Sequence, residues 1–310
     1  MNNDEMYNLV RPKRRSKLRI AVGKLVYKSL RYLQWIRNRK IYSLSNRSLD
    51  NLADKSIQGE INNNSLKLIK AELVKPLSFT VIKHKSLLYK ELRNVDMWMQ
   101  ENKVENLKIA IQALNGLIVE PGKVFSYWRC IGKPSKRKGY KEGMQLSHGK
   151  FASAVGGGLC QLSNLIYWMM LHTPLDVTER HRHSYDVFPD TKRTVPFGSG
   201  ATCVYNYFDL QIKNNTTQSF QLLFSLDEKY LRGEIRSEFE LEYHYQVYEK
   251  SHQFIGTPWG QYIRQNKIYR DKLDESSRII ESDFITQNHA LTMYNPMLGS
   301  GKSENRKMKK

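Results

Sequence analysis

The sequence predicts an α+β fold, a β-rich body carrying a few helices, and three observations point that way. Two segments, near residues 102–117 and 156–172, carry apolar residues at helical spacing. From Leu241 to Met293, β-branched and aromatic residues alternate with charges, the pattern of a strand meander. The 310 residues include 18 Tyr and 11 Phe, which rules out a wholly disordered chain. A chain of this length can bury one core with a smaller flanking module. There is no internal repeat.

Taken in order, Leu18, Val22, Leu25, Val26, Leu33 and Ile36 fall at helical spacing, with Lys17, Lys24, Lys28 and Arg31 on the other faces and Tyr32 and Trp35 as interfacial aromatics. Such a helix either lies on an anionic membrane surface or packs on the domain with its basic face in water. Ser45–Asn64 is polar and reads as a linker, so residues 1–64 form a basic, partly helical N-terminal segment. A domain is expected over 65–230. It opens with Leu66–Tyr89, where short apolar runs mix with lysines. Val104, Leu107, Ile111, Leu114 and Leu117 then mark one face of a helix over Asn102–Leu117. Asn115-Gly116 predicts its end and Pro121-Gly122 a turn.

Val124–Trp128 is strand-like, and Lys133–Lys141 is a basic loop. Gly156–Gly158 opens a second helix, whose apolar stripe is Leu162, Leu165, Ile166, Met169 and Met170; Thr173-Pro174 closes it. Val204, Tyr205, Tyr207, Phe208, Leu210 and Ile212 fit a strand entering a turn at Asn214-Asn215, with Phe220–Leu226 as its partner. Residues 231–300 are expected to form a β-rich extension, and 301–310 a basic tail.

The net charge is +20, and 14 of those charges sit at the two ends. Residues 1–50 carry 13 Lys and Arg against three acids, and residues 301–310 carry five against one. The basicity belongs to the tails rather than to the fold. It suits peripheral contact with an anionic membrane. Nucleic acid is not an expected partner, because no recognised binding motif accompanies the charge. After Arg11–Arg19 an export signal would need an unbroken apolar run, and Lys24, Lys28 and Arg31 interrupt it. The purely apolar part of Phe151–Leu175 is only Leu165–Leu171, far short of the roughly 20 residues of a membrane span. Cys130, Cys160 and Cys203 form no disulfide framework. The expected location is therefore cytoplasmic, at most peripheral at the inner membrane face.

The chemistry is expected around Cys160. Gly157 and Gly158 let the backbone turn sharply just before it. At the start of a helix, unpaired amides and the positive end of the dipole lower a thiol pKa and can hold an oxyanion. Gln161, Ser163 and Asn164 add polar groups one turn on. Read blandly, Cys160 is a small buried residue and the glycines make a turn. A nucleophile needs a base. His181 and His183 lie in Glu179-Arg180-His181-Arg182-His183-Ser184, and in an extended segment both face one way. Asp209 could orient a histidine as third member of a triad. The same histidines with Cys160, Cys203, His148 or His172 could instead ligate zinc, but no compact ligand spacing is present, so neither metal nor cofactor is expected.

An ordered set of motifs resembles the VanW domain. It begins at Glu101-Asn102-Lys103-Val104 and continues through Leu114-Asn115-Gly116-Leu117, Pro121-Gly122 and Val124-Phe125-Ser126-Tyr127-Trp128. Gly139–Gly143, His148-Gly149-Lys150 and Gly156-Gly157-Gly158-Leu159-Cys160-Gln161-Leu162-Ser163-Asn164 follow. Leu171–Leu175, His183, Asp209 and Lys213–Thr216 complete it, so the match covers about residues 101–226. The resemblance implies a setting in peptidoglycan metabolism and glycopeptide (vancomycin) resistance. It implies L,D-transpeptidase-like acyl transfer on D-amino-acid-containing peptides through a cysteine thioester, with Cys160 as nucleophile and His183 as base. The enzyme would be a transpeptidase or peptidase, and its partner a peptidoglycan peptide or precursor. The rival is a non-catalytic module holding that precursor, or a lipid carrier, at the inner membrane surface.

Overall fold

The computed structural model describes residues 16–43, 75–89, 96–147, 150–187 and 194–296. The expected linker, residues 66–74 of the segment after it, His148 and the two outer tails lie outside the described residues. In chain order the elements are α1 (Lys17–Arg37), β1 (Phe79–Leu87), α2 (Met97–Leu114), β2 (Leu117–Val119), β3 (Val124–Ser126), α3 (Tyr127–Ile131), β4 (Glu142–Ser147) and β5 (Lys150–Val155). They continue with α4 (Cys160–Met170), β6 (Asp176–Glu179), β7 (Tyr185–Asp186), β8 (Gln211–Lys213), β9 (Phe220–Leu226), β10 (Tyr230–Ser237), β11 (His244–Gly256), β12 (Tyr262–Leu273) and β13 (Ile279–Thr292). The fold is α+β and β-rich, as the patterning implies.

Among the described residues there are four sheets: β1-β10-β9-β2, β11-β12-β13-β7, β3-β8-β6 and the hairpin β4-β5. The core lies where α2 and α4 meet them. Helix α2 ends where Asn115-Gly116 predicted, with Gly116 at φ 82°. It buries Leu107, Ala110, Ala113 and Leu114. The whole α4 stripe, Leu162, Leu165, Ile166, Met169 and Met170, is buried. Its approach to β10 is close enough that a Cβ on Gly233 would stand 2.5 Å from the Met169 methyl.

The strand pairing differs from the expectation after residue 204. Val204–Phe208 is a tight turn closed by one bridge, and the strand is only Gln211–Lys213. That strand pairs with β3 and β6, while Phe220–Leu226 pairs with β10 and β2. The turn at Asn214 therefore moves the chain between sheets and closes no hairpin. Its side chain explains why: the buried Asn214 amide donates to Val119 O and Gln218 O, at 2.7 and 2.8 Å, and its oxygen accepts from the Thr216 amide. The strand-like Val124–Trp128 also divides. Ser126 caps α3 by accepting from the Arg129 amide, so Tyr127 and Trp128 are helical.

The glycine run before α4 is held from α2. Asn106 Nδ2 donates to Gly157 O and Lys141 O, at 2.9 and 3.0 Å, and its Oδ1 accepts from the Lys141 amide. A Cβ on Gly157 would stand 2.0 Å from Gly143 O, a backbone atom with no room to withdraw. Gly157→Ala is expected to destabilise the fold by about 3 kcal/mol or more, read as a fall in the urea midpoint. A midpoint within error of the wild type would mean that the turn is loosely held.

The C-terminal meander β11–β13 grips the segment between β6 and β8 and the turn after α4. Arg264 reaches Asp186 at 3.1 Å, Asn266 Nδ2 donates to Phe197 O at 2.6 Å, and Arg270 donates to Thr173 O at 3.1 Å.

Candidate active site

Cys160 is the first residue of α4, and Leu159 before it already has helical angles (φ −62°, ψ −20°). The amides of Gln161, Leu162 and Ser163 are taken by Gly158 O and Leu159 O. Gly157 donates its amide to Ala154 O. Among the described residues, the amides left without a hydrogen bond at this turn are those of Gly158, Leu159 and Cys160.

The polar side chains of the turn build its walls. Gln161 Nε2 donates to Ser86 Oγ and Leu87 O, both at 2.9 Å. Ser163 Oγ donates to Ala201 O at 2.8 Å, and Asn164 Oδ1 accepts from the Ala201 amide at 2.9 Å. These bonds draw residues 201–203 alongside α4. The Cys160 thiol, partly accessible, then faces Cys203 O at 3.9 Å. Tyr127 lies beneath, its hydroxyl donating to Leu159 O at 2.8 Å.

The thiol environment overturns one expectation. Burial pushes the Cys160 pKa above its ordinary value, and the backbone of Cys203 opposes this only in part. Cys203 and Tyr127 are pushed up too, again by burial. The helix start supplies amides, but among the described residues no cation acts on the sulfur, and desolvation is the largest influence on it. At neutral pH the resting Cys160 is a neutral thiol.

The histidines sit on the segment after β6. His183 is pushed down to about 4 by burial and by the Arg180 charge, with Asp186 opposing, so it is neutral at pH 7. Among the described residues it makes no hydrogen bond, to Cys160 or otherwise. His181 is the imidazole with a carboxylate partner: Nε2 lies 3.1 Å from Glu179 Oε1, and the ring stacks on Phe208 at 4.1 Å. Its carbonyl accepts from the Thr202 amide, next to Cys203.

Glu179 is the junction. It also accepts from Arg31 of α1 at 2.5 Å and from the Asp209 amide at 2.9 Å. Burial alone would raise its pKa, but the bonds from His181, Arg31 and that amide outweigh burial and hold it low. The carboxylate of Asp209 meets no histidine among the described residues. It accepts from Ser126 Oγ (2.6 Å), the Trp128 amide (3.0 Å) and the Leu210 amide (3.0 Å), and binds Gln211 at 3.3 Å. The expected orienting contact from Asp209 is thus made by Glu179. The signal was in the sequence: Glu179 and His181 are two residues apart, as are His181 and His183, the spacing of one strand face.

Arg180 holds the wall from the other side. Nε donates to Gly200 O at 2.9 Å, Nη2 donates to Gly198 O and Asn288 Oδ1, and the guanidinium lies over the Tyr167 ring. His172 is turned away, its Nδ1 on Trp168 O. Among the described residues, no three of His, Cys, Asp and Glu gather as a metal-binding group, and no helix is long and apolar enough to cross a membrane.

The glycine turn and α4 lie inside a stretch of the chain that is similar to known proteins. Residues 102–236 match the family described as VanW like protein. The vancomycin B-type resistance protein VanW of Enterococcus faecalis is 35% identical over 188 residues, which is 61% of this chain and 68% of that protein. The chain belongs to the VanW family. The uncharacterized protein YoaR of Bacillus subtilis is 26% identical over 118 residues, 38% of this chain and 37% of its own length. No solved structure matches. The family match ends at residue 236, within β10, so it takes in α2 from residue 102 onward, the glycine turn, α4 and the Glu179–His183 segment. Helix α1, with Arg31, and the meander β11–β13 lie outside the matched VanW region.

Proposed function

We propose that this VanW-family protein acts on D-amino-acid-containing peptides of peptidoglycan or its precursors, by acyl transfer through Cys160. The observation that carries the reading is the position of Cys160: a partly accessible thiol at a helix start, beside the unbonded amides of Gly158, Leu159 and Cys160. Those amides could receive the oxyanion formed when sulfur attacks a peptide carbonyl. The thiol proton passes to a histidine and on to the departing amine as the C–N bond breaks, leaving a thioester. An acceptor amine, or water, then takes the acyl group and the thiol is restored.

His183 is the proton acceptor that the family resemblance supports, and it is neutral at pH 7 as a base must be. His181 is the second candidate, favoured by its bond to Glu179, which orients the ring as a triad carboxylate does. Because the resting thiol is neutral, substrate binding has to bring a histidine to the sulfur, directly or through water. The rival reading, a module that binds a wall precursor without turnover, is favoured by that same neutral thiol.

The test is intact-mass measurement of the protein after incubation with a synthetic wall pentapeptide ending in D-Ala-D-Ala, and with the tetrapeptide ending in one D-Ala. Acyl transfer predicts an adduct on Cys160 equal to the peptide less its leaving group. His183→Ala should slow its formation more than His181→Ala does if His183 is the base. Saturable peptide binding without an adduct would sink the enzyme reading and leave the binding module.

A further inference from the structure

Helix α1 is docked on the domain by residues outside its apolar stripe. Trp35 is 7% exposed, Arg31 pairs with Glu179, the Tyr32 hydroxyl meets that of Tyr205 at 3.0 Å, and Tyr27 stands edge-on to Tyr207. At about 100° per residue, Leu18, Val22, Leu25, Val26, Leu33 and Ile36 share an arc of roughly 100°, centred away from Arg31. Those six side chains are in water: Leu18 is 75% exposed, Leu25 67% and Ile36 68%. A helix packed for the stability of its own domain would turn this stripe inward. Here the polar and aromatic residues face the domain and the leucines face out.

What would cover the stripe is indicated by the charge around it. Arg19 and Arg37 border it on one side, and Lys28 follows on the other; Arg39 and Lys40 come directly after the helix. No Asp or Glu occurs between residues 16 and 43. An apolar band flanked on both sides by long cationic chains matches an anionic lipid surface, with leucines among the acyl chains and cations at the phosphates. It does not match a second copy of this strongly basic chain, which would set these cations against each other.

We propose that α1 is a membrane-seating helix, which lays Leu18, Val22, Leu25, Leu33 and Ile36 into an anionic bilayer surface while Arg31 and Trp35 keep it fixed to the domain. Because Arg31 binds the same Glu179 oxygen as His181, the seat holds the candidate active site at a set position against the membrane. The inference is independent of whether Cys160 turns over substrate.

Flotation of the full chain with phosphatidylglycerol vesicles, and with phosphatidylcholine vesicles as control, tests it. The wild type should float with the anionic vesicles and lose binding as salt rises. The double variant Leu25→Asp/Leu33→Asp should weaken binding about tenfold or more, with an unchanged melting temperature because both side chains are exposed. Unchanged binding by that variant would assign the attraction to the basic tails alone and overturn the proposal. So would wild-type protein that ignores anionic vesicles, or that forms a dimer dispersed by the same double variant.

Discussion

Cys160→Ala is expected to remove acyl transfer altogether, a loss of at least about 10³-fold in single-turnover rate, while leaving the fold intact. The fold should survive because Cys160 sits at the partly accessible start of α4, and among the described residues its side chain's one hydrogen bond is the weak 3.9 Å contact to Cys203 O. Cys160→Ser keeps a donor for that carbonyl and should be nearly as inactive, because among the described residues no cation stands by to favour an alcohol's anion. The pH dependence follows from the same surroundings. With the thiol pKa raised, the thiolate fraction at neutral pH is lower than for a free cysteine, so acylation should speed up as pH rises through the weakly alkaline range. Mass spectrometry of the adduct with time, alongside thermal melts, reads both effects. A Cys160→Ala protein that still transfers the acyl group would end the nucleophile assignment; Cys130 and Cys203 are buried and poorly placed to take over.

The second large effect concerns Asp209, and it falls on stability. Its buried carboxylate receives Ser126, Trp128 and Leu210, fixing the end of β3, the start of α3 and the start of β8 at one point. Asp209→Ala strands those donors away from water, at a cost of about 3 kcal/mol, or on the order of 10 °C in melting temperature. Burial pushes the Asp209 pKa up to about 6, against the pull of the Ser126 and Trp128 bonds and with the help of the Glu179 charge. The folded state therefore holds the proton more tightly than the unfolded chain, whose carboxyl titrates near 3.8. That contribution is full below 3.8 and drains away as pH rises to about 6. Glu179, with its pKa held low, acts in the opposite sense, adding stability that is lost on acidification. Asp209→Asn isolates the first effect: the stability advantage of the wild type over this variant should grow as pH falls from about 6 towards 3.8. An Asp209→Asn difference that is flat across that window would show that the carboxyl keeps its ordinary affinity for protons.

The sequence by itself determined the α+β class, three of the helices, the β-rich C-terminal region and the family motifs around Cys160. Helical periodicity is local: residues three and four apart share a face whatever surrounds them, so the α4 stripe from Leu162 to Met170 was legible and is buried as a unit. The tertiary structure alone decided three other matters. Strand partners are chosen across the chain, so Gln211–Lys213 pairs with β3 and β6 rather than with the adjacent Phe220–Leu226. Which side of α1 faces the domain depends on Glu179, Tyr205 and Tyr207, roughly 150 residues or more away in sequence, and they draw in Arg31 and its neighbours in place of the leucines. The charge state of Cys160 depends on desolvation, which sums over every atom packed near the sulfur, and no motif records that sum. A helix start promised a lowered thiol pKa; the apolar surroundings that the fold builds around the sulfur push it up instead.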